Sequence, residues 1–439
     1  MNWTRRAFLG ACGISIASAQ SKKRPNILFI LSDDHHFQAV GFAGNPHIQT
    51  PKLVTLAGRG VVFSNAISSS PQCAPSRGVL LTGLEPFRTG VTSNGARRFN
   101  IFGGATVVSQ LLMSGYETTL IGKWQTHRLP SVFGFSKVPL WINTRDTVES
   151  PYMLSRGVPV QETVKVPNCT EAFSQAAVEY LESPRQRPFF LWLSYLHSKS
   201  ELPTEAQALA QYKKKNAELA PPLHDKDALP FNWRRYYSAI THLDEGIGKV
   251  IAALEKAGDL ANTVIFFCGA NGNMCGSHGK SGKVYPWEAS IRVPMLVSGA
   301  GVRGGIQSDQ PVSTADFPAT WLDLAQVKPA TPLAGRSLKA TLETGKTVSN
   351  ESYAYWCDPV SESSHGVDPY RIIRTRTHKL ILWESGEVEL YDWPNDPEEK
   401  LNLATDPGSQ KVLGQLKRKL EAHMADRKDP MLRNPKTAG

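Results

Sequence analysis

Three continuous apolar runs are the strongest constraint on the fold of this chain. They are RPNILFIL (24–31), PFFLWLSYL (188–196) and NTVIFFCG (262–269). Short runs without polar alternation are typical of strands buried on both faces, as in a parallel sheet. Segments with helical periodicity lie between them, and the longest, over 234–256, has an apolar face. The sequence therefore predicts an α/β fold with a mostly parallel central sheet flanked by helices.

The pattern changes after about residue 345. YRIIRTRTHKLILWESGEVELYDW (370–393) has alternating strand patterns joined by a turn, and an amphipathic helix is predicted over 408–425. We expect a small C-terminal antiparallel sheet plus a closing helix. The predicted organisation is an export signal over 1–20, a catalytic α/β domain over 24–345 and a C-terminal α+β subdomain over 346–430.

The first twenty residues have the pattern of an export signal. Arg5 and Arg6 precede a short apolar stretch and a small-residue cleavage site at 17–19, which is typical of twin-arginine export. We therefore expect a periplasmic or secreted protein. LGAC at 9–12 also resembles a lipobox, so a lipoprotein is the alternative, although the apolar stretch before Cys12 is very short. No later apolar run reaches the length of a membrane span.

Charge and cysteine content limit the partners. The net charge of +10 is spread over short, separated basic clusters without interleaved aromatic residues, so no nucleic-acid partner is expected. The net charge predicts a mild attraction to anionic substrates. After the export signal, the cysteines other than Cys73 could form bridges in an oxidising compartment, but the sequence does not give their pairing; they are Cys169, Cys268, Cys275 and Cys357.

Polar residues follow several of the predicted strands. Asp33 and Asp34 come after the first run, Lys123 follows another strand, and Asn271 follows VIFF. Ligands of such sheets bind beyond the carboxyl ends of the strands, so we expect these residues to meet in one crevice. Two adjacent carboxylates are costly to bury without a cation, which favours an oxygen-ligated metal. A solvated loop pair or a helix N-cap is the alternative.

A second segment, QCAPSRGVLLTG (72–83), places Cys73 at a predicted helix start. Pro75 is tolerated in a first turn, and the positive end of the helix dipole favours anions there. Arg77 adds a forked donor suited to sulfate or phosphate oxygens. A structural cysteine at a turn is the alternative interpretation.

Cys73-Ala74-Pro75-Ser76-Arg77 followed by GVLLTG resembles the signature of the sulfatase family. The segments RPNILFILSDDHH, GYETTLIGKW and GKVYPWEASIRVPMLVSG resemble sulfatase segments in family order, and the resemblance covers residues 24 to 428. It implies an alkaline-phosphatase-like fold. It also implies that a maturation enzyme oxidises Cys73 to formylglycine (3-oxoalanine), whose hydrate attacks the sulfur of a sulfated small molecule or carbohydrate.

The resemblance also implies roles for individual residues. Asp33, Asp34, Asn271 and the formylglycine made from Cys73 would hold one divalent cation, usually Ca²⁺. Arg77 would hold the formylglycine hydrate. Lys123 and Lys283 would neutralise the sulfate oxygens.

The sequence departs from the family at positions that matter for turnover. Ala270 stands where a metal-ligating aspartate is usual, and Gln125 stands where a histidine is usual. Lys199 lies near a position that usually carries a Pro-His pair. His197 is the predicted catalytic histidine; the other histidines considered as acid–base or rim residues are His35, His36, His127 and His278.

Three functions are compatible with these residues. The leading hypothesis is a sulfatase that hydrolyses sulfate esters, which the intact Cys-x-Pro-x-Arg motif favours. A catalytically impaired sulfatase-fold protein that binds sulfated or other anionic ligands is the first alternative, favoured by Ala270 and Gln125. A phosphoester or phosphonate hydrolase of the same superfamily is the second alternative. The substrate itself is not identified by any pattern in the chain.

Overall fold

The computed structural model describes residues 24–96, 99–100, 106–143, 152–196, 205–358 and 366–433. The predicted export signal (1–20) and the predicted catalytic His197 lie outside these ranges. Within them, no helix combines the length and the apolar composition that a bilayer span requires.

The strands of the described residues form three sheets. In chain order they are β1 (Asn26–Ser32), β2 (Gly60–Phe63), β3 (Ala66–Ile67), β4 (Glu117–Lys123), β5 (Lys137–Ile142), β6 (Tyr152–Arg156), β7 (Glu162–Val166), β8 (Phe189–Ser194), β9 (Thr263–Gly269), β10 (Met295–Gly299), β11 (Ile306–Ser308), β12 (Val312–Ser313), β13 (Ser352–Trp356), β14 (Tyr370–Arg374), β15 (Lys379–Trp383) and β16 (Val388–Tyr391).

The α-helices of the described residues lie between these strands or close the C-terminus. They are α1 (Pro51–Gly58), α2 (Cys73–Thr82), α3 (Pro86–Thr89), α4 (Val107–Met113), α5 (Cys169–Glu182), α6 (Glu205–Gln211), α7 (Trp233–Lys256), α8 (Glu288–Ile291), α9 (Asp316–Leu324), α10 (Lys339–Thr344) and α11 (Gln410–Asp426).

The central sheet has ten strands in the order β11-β2-β10-β9-β1-β8-β4-β5-β6-β7. The five strands β9, β1, β8, β4 and β5 run parallel, whereas β10, β6 and β7 pair antiparallel with their neighbours. The predicted mostly parallel α/β sheet is therefore confirmed. Its parallel strands end at one edge of the sheet, and the polar segments singled out in the sequence follow them.

β1 lies at the centre because both of its faces are apolar. Ile27, Phe29 and Leu31 pack on one face, against residues of α2, α4 and α9. Leu28 and Ile30 pack on the other face, against α1, α5 and α7. Helices thus cover both faces of the sheet, which explains the continuous apolar runs in the sequence.

The C-terminal sheet is antiparallel, in the order β13-β14-β15-β16. On one face, α11 packs through Leu416, Leu420 and Met424. The other face packs against Val284 and Ile291 of the large domain. The predicted small sheet with a closing helix is confirmed, whereas the boundaries at residues 345 and 346 remain a prediction.

A buried ion cluster joins the two parts. Glu288 of α8 pairs with Arg374 of β14, and Lys379 of β15 pairs with Glu288 (3.5 Å) and with Glu399. Burial alone would raise the pKa of Glu288, but the cations Arg374, Lys379 and Arg292 outweigh burial and hold this pKa at about 2. The charges compensate one another, so removal of one leaves another buried without its partner.

Arg374→Met is expected to lower the free energy of unfolding by about 3–5 kcal/mol, because it leaves the buried Glu288 carboxylate without this partner. The matched control is Lys419→Met, which removes an exposed ion pair with Glu351 (3.0 Å) and is expected to cost less than about 1 kcal/mol. Urea unfolding of both variants measures the difference. Equal losses would contradict this account of the cluster.

Candidate active site

Cys73 is the first residue of α2, as the sequence predicts, and the whole helix is buried. Gln72 is the extended residue before the helix, and the backbone N–H of Ala74 donates to Oδ1 of Asn94 (3.0 Å). Cys73 itself is only 1% exposed. Its side chain lies near the strand ends: its Sγ is 3.2 Å from Oδ2 of Asp33 and 3.4 Å from Oδ1 of Asn271.

Asp33, directly after β1, is held by two cations. The Arg77 guanidinium lies 3.4 Å from its Oδ1, and the Lys123 ammonium contacts its Oδ2. Burial alone would raise the pKa of Asp33, but Lys123, Lys283 and Arg77 outweigh burial and hold this pKa far below its usual range. Asp33 is therefore a carboxylate anion at neutral pH although it is almost fully buried.

The ends of β4 and β8 hold the Arg77 guanidinium in the site. Its Nη1 donates to Oγ of Ser194 (2.7 Å) and to the carbonyl of Lys123 (3.2 Å). Gly122 precedes Lys123 and has φ +107; a Cβ there would lie 1.9 Å from the carbonyl oxygen of Ser194. Only glycine fits this backbone approach, which brings the two acceptors of Arg77 together.

Asp34 and Asn271 meet on the other side of Cys73. Nδ2 of Asn271 donates to Oδ1 of Asp34 (2.8 Å), and the Lys283 ammonium contacts both Asp34 and Sγ of Cys73. Burial opposes the charge of Lys283, but Asp34, Cys73 and Asp33 outweigh burial and raise the pKa of Lys283 above its usual value. Three side-chain cations thus surround two carboxylates.

The Cys73 thiol is not activated as a thiolate. Burial, reinforced by the Asp33 carboxylate, raises the pKa of this thiol above its usual value despite the two nearby lysines. A thiol is a much weaker nucleophile than a thiolate. The unmodified side chain is therefore poorly suited to nucleophilic attack at neutral pH.

The donors at this position fit a hard divalent cation. Ligand atoms of Asp33, Asp34 and Cys73 all lie within 4.8 Å of one another, and Oδ1 of Asn271 faces the same Sγ. Carboxylate and amide oxygens are the donors that Ca²⁺ and Mg²⁺ prefer. An oxygen at the Cys73 position in place of sulfur would complete a set of hard ligands.

Ala270 and Gln125 are both close to this cluster along the chain. Ala270 is fully buried, and only its backbone makes hydrogen bonds there, from its N–H to the Ser32 carbonyl (2.8 Å) and from Ser68 Oγ to its carbonyl (2.6 Å). Gln125 has φ +65 and is 8% exposed; within the described residues its Oε1 has no hydrogen-bond partner. Neither side chain can accept a proton as a general base.

Three of the histidines considered in the sequence contact groups other than the two carboxylates. The ring nitrogens of His35 bond Oγ of Ser32 (2.8 Å) and the carbonyl of Ala39 (3.0 Å). His36 stacks on Phe37, and His278 stacks on Trp287. His127 is half-buried beyond Gln125. His35 and His36 therefore bind other groups through their rings, and His197 remains an untested prediction.

The structure brings together all the described residues predicted for the site: Asp33, Asp34, Cys73, Arg77, Lys123, Asn271 and Lys283. Their catalytic and metal-binding roles remain predictions. Sequence reasoning missed Ser194, which holds Arg77, and Asn94, which caps the first turn of α2. Ser194 ends a buried strand, so the same strand-end rule could have found it. Asn94 lies in a loop with no interpretable pattern.

A sequence model of the sulfatase family matches residues 25–327. This chain belongs to the sulfatase family. A second model, described as N-sulphoglucosamine sulphohydrolase, C-terminal, matches residues 276–426 of this sulfatase. The two matches together extend from β1 to the end of α11.

Curated relatives cover most of this sulfatase. An N-acetylglucosamine-6-O-sulfatase of Bacteroides thetaiotaomicron is 26% identical, covering 90% of this chain and 86% of the relative. An ulvan-active sulfatase of Formosa agariphila is 27% identical, covering 92% and 81%.

Solved structures share the fold. A protein solved in complex with its substrate D-glucosamine-2-N,6-O-disulfate has a TM-score of 0.78 at 24% identity, covering 93% of this chain and 99% of its own. A phosphonate monoester hydrolase of Agrobacterium radiobacter has a TM-score of 0.75 at 20% identity, covering 93% and 97%. The fold alone therefore does not distinguish sulfate-ester from phosphonate-ester chemistry.

Asp33→Asn is expected to make the stability of the protein less dependent on acid pH. The pKa of Asp33 is far below its unfolded value of about 3.8, so its contribution is present above pH 4 and is lost as the pH falls below it. Below about pH 4, the slope of the free energy of unfolding against pH should be smaller in the variant than in the wild type, by up to about 1.4 kcal/mol per pH unit. Urea unfolding between about pH 3 and 6 measures this slope; an unchanged slope in the variant would contradict the pairing of Asp33.

Proposed function

We propose that this sulfatase hydrolyses sulfate esters of carbohydrates through a formylglycine made from Cys73. The observation that carries the proposal is the position of Cys73, at the start of a buried helix and in contact with Asp33, Asn271 and Lys283. The raised pKa of the thiol argues that the unmodified cysteine is not itself the nucleophile. The named activities of the two curated relatives support a sulfated carbohydrate as the substrate class.

The proposed cofactors are this formylglycine and one divalent cation, Ca²⁺ by preference. Asp33, Asp34 and Asn271 would hold the cation together with an oxygen on residue 73, since their donor atoms converge there. A hydrated aldehyde supplies a hydroxyl nucleophile, and a bound cation supplies charge stabilisation next to it. A formylglycine-generating enzyme is the maturation partner that this proposal requires.

The side chains of the site perform three tasks in this proposal. Lys123 and Lys283 neutralise the sulfate oxygens on which negative charge develops, and both ammonium groups are already oriented by Asp33 and Asp34. Arg77, four residues after Cys73 on the same helix, is fixed by Ser194 and orients the side chain at position 73. The site brings three basic side chains together with two acidic ones, and this excess of basic groups favours an anionic substrate.

The second candidate function is that of a catalytically impaired sulfatase-fold protein that binds sulfated or other anionic ligands, and Ala270 favours it. The missing carboxylate reduces the negative charge available to a cation, which weakens Ca²⁺ affinity. The missing base at Gln125 leaves proton transfer to another residue, for which His197 stays our candidate. The phosphoester or phosphonate alternative has no observation of its own in its favour, because the likeness to the phosphonate hydrolase concerns the fold.

The proposal predicts that Cys73 is converted when the chain is expressed with a formylglycine-generating enzyme. Peptide mass analysis of the segment around Cys73 measures conversion, and hydrolysis of an aryl sulfate with and without added Ca²⁺ measures turnover. We expect Cys73 to be converted and turnover to rise with added Ca²⁺. The Cys73→Ala variant should show no turnover. Faster cleavage of the matching phosphate ester would instead favour a phosphoester or phosphonate hydrolase.

Ala270→Asp combined with Gln125→His is expected to raise kcat, because a general base typically contributes about 10²–10⁴-fold. The matched control is Ala270→Asp alone, which adds the carboxylate but leaves Gln125 without a base. Thermal unfolding checks that both variants fold. Full conversion of Cys73 without turnover, even in the Asp-His variant, would rule out the enzyme function and leave the binding function.

A further inference from the structure

Lys283 enters the site from a segment of unusual backbone. Cys275, Gly276, His278, Gly279, Gly282 and Val284 all have positive φ, and Val284, directly after Lys283, has φ +80. A β-branched residue is strained in this region because its Cβ substituents crowd the backbone. Val284 is also fully buried. Such a conformation persists only where surrounding contacts enforce it.

Two hydrogen bonds hold Val284 from opposite directions. Its N–H donates to the carbonyl of Pro71 (3.2 Å), two residues before Cys73. Its carbonyl accepts from the hydroxyl of Tyr370 (2.9 Å), the first residue of β14 in the C-terminal sheet. Tyr370 is fully buried, with its ring edge-on to Trp383. Val284 therefore ties Lys283, the segment before Cys73 and the C-terminal sheet together.

The same sheet holds the residues that follow. Nζ of Lys379 donates to the carbonyl of Pro286 (2.8 Å), and the N–H of Glu288 donates to Glu399 (2.7 Å). The Glu288 carboxylate pairs with Arg374. The chain from Val284 to Glu288 is thus fixed by the C-terminal sheet and by the segment that follows it.

We propose that Tyr370 is a positioning residue for the active site: its hydroxyl holds Val284 in the left-handed conformation that directs the Lys283 ammonium to Asp34 and Cys73. The C-terminal sheet thereby completes a site whose other described residues all come from the large domain. The expected effect on kcat rests on the proposed function, whereas the expected effect on the position of Lys283 does not. Loss of the hydroxyl releases the Val284 carbonyl, so that residue 284 relaxes and Lys283 moves away from Asp34.

Tyr370→Phe tests the proposal, with Tyr355→Phe as the matched control. Tyr355 is a buried tyrosine of the same sheet whose hydroxyl bonds Nε2 of His423 (2.6 Å), on the side of α11. Each variant loses one hydrogen bond made by the hydroxyl of a buried tyrosine, so similar losses of Tm are expected. Crystal structures should show Lys283 displaced from Asp34 only in Tyr370→Phe. An undisplaced Lys283 in Tyr370→Phe would overturn the inference.

Kinetics of the matured enzyme on an aryl sulfate give the second measurement. We expect kcat to fall about tenfold or more in Tyr370→Phe, since an ångström of misplacement at a reacting centre can cost up to about a hundredfold. KM should change little, and Tyr355→Phe should match the wild type. Equal losses in the two variants would make Tyr370 merely structural and overturn the proposal.

The double variant Tyr370→Phe/Val284→Gly tests the route through Val284. Glycine adopts positive φ without steric cost, so it should return Lys283 towards Asp34 in the crystal and raise kcat above that of Tyr370→Phe alone. A double variant with Lys283 still displaced would overturn the route. If neither the wild type nor Ala270→Asp/Gln125→His hydrolyses a sulfate ester, the proposed function fails, whereas the crystal structures still decide the positioning role.

Discussion

The Asp33 carboxylate is the charge on which the arrangement of this site depends. It follows the central strand β1, where burial makes an isolated anion very costly. Lys123 at the end of β4 and Arg77 on α2 supply the compensating charges, so one carboxylate joins three separate elements of the large domain. Asp34 forms an ion pair with Lys283 and so joins a fourth segment to the site.

The sequence was sufficient for the parts of the molecule governed by local patterns. Uninterrupted apolar runs gave the parallel strands β1, β8 and β9, and the Cys73–Arg77 motif gave the start of α2. The strand-end rule placed Asp33, Lys123 and Asn271 in one crevice because parallel strands share an edge. Hydrogen bonds between residues far apart in the sequence could not be predicted in the same way. Nothing in the pattern of residues 370–374 indicates that Tyr370 bonds a carbonyl 86 residues earlier.

Position in the sequence suggested site roles for two histidines whose contacts in the structure do not support those roles. His35 and His36 follow Asp34 directly, yet their rings contact other groups. His35 binds Ser32 and Ala39 instead. Gly122 gave no signal at all, although its missing Cβ permits the contact between β4 and β8. Its importance comes from a carbonyl on another strand, which no local rule can supply.

The burial of α2 has a consequence for the order of events in biosynthesis. Cys73 is 1% exposed, and the residues around it on the helix are packed into the core. A second protein therefore has no access to this thiol once the sheet has closed around it. Any enzyme that modifies Cys73 must act on the nascent or unfolded chain, before β8 and β9, which are synthesised more than a hundred residues later, pair with β1. If Cys73 is converted as we propose, conversion and folding compete, and their relative rates would set the yield of converted protein.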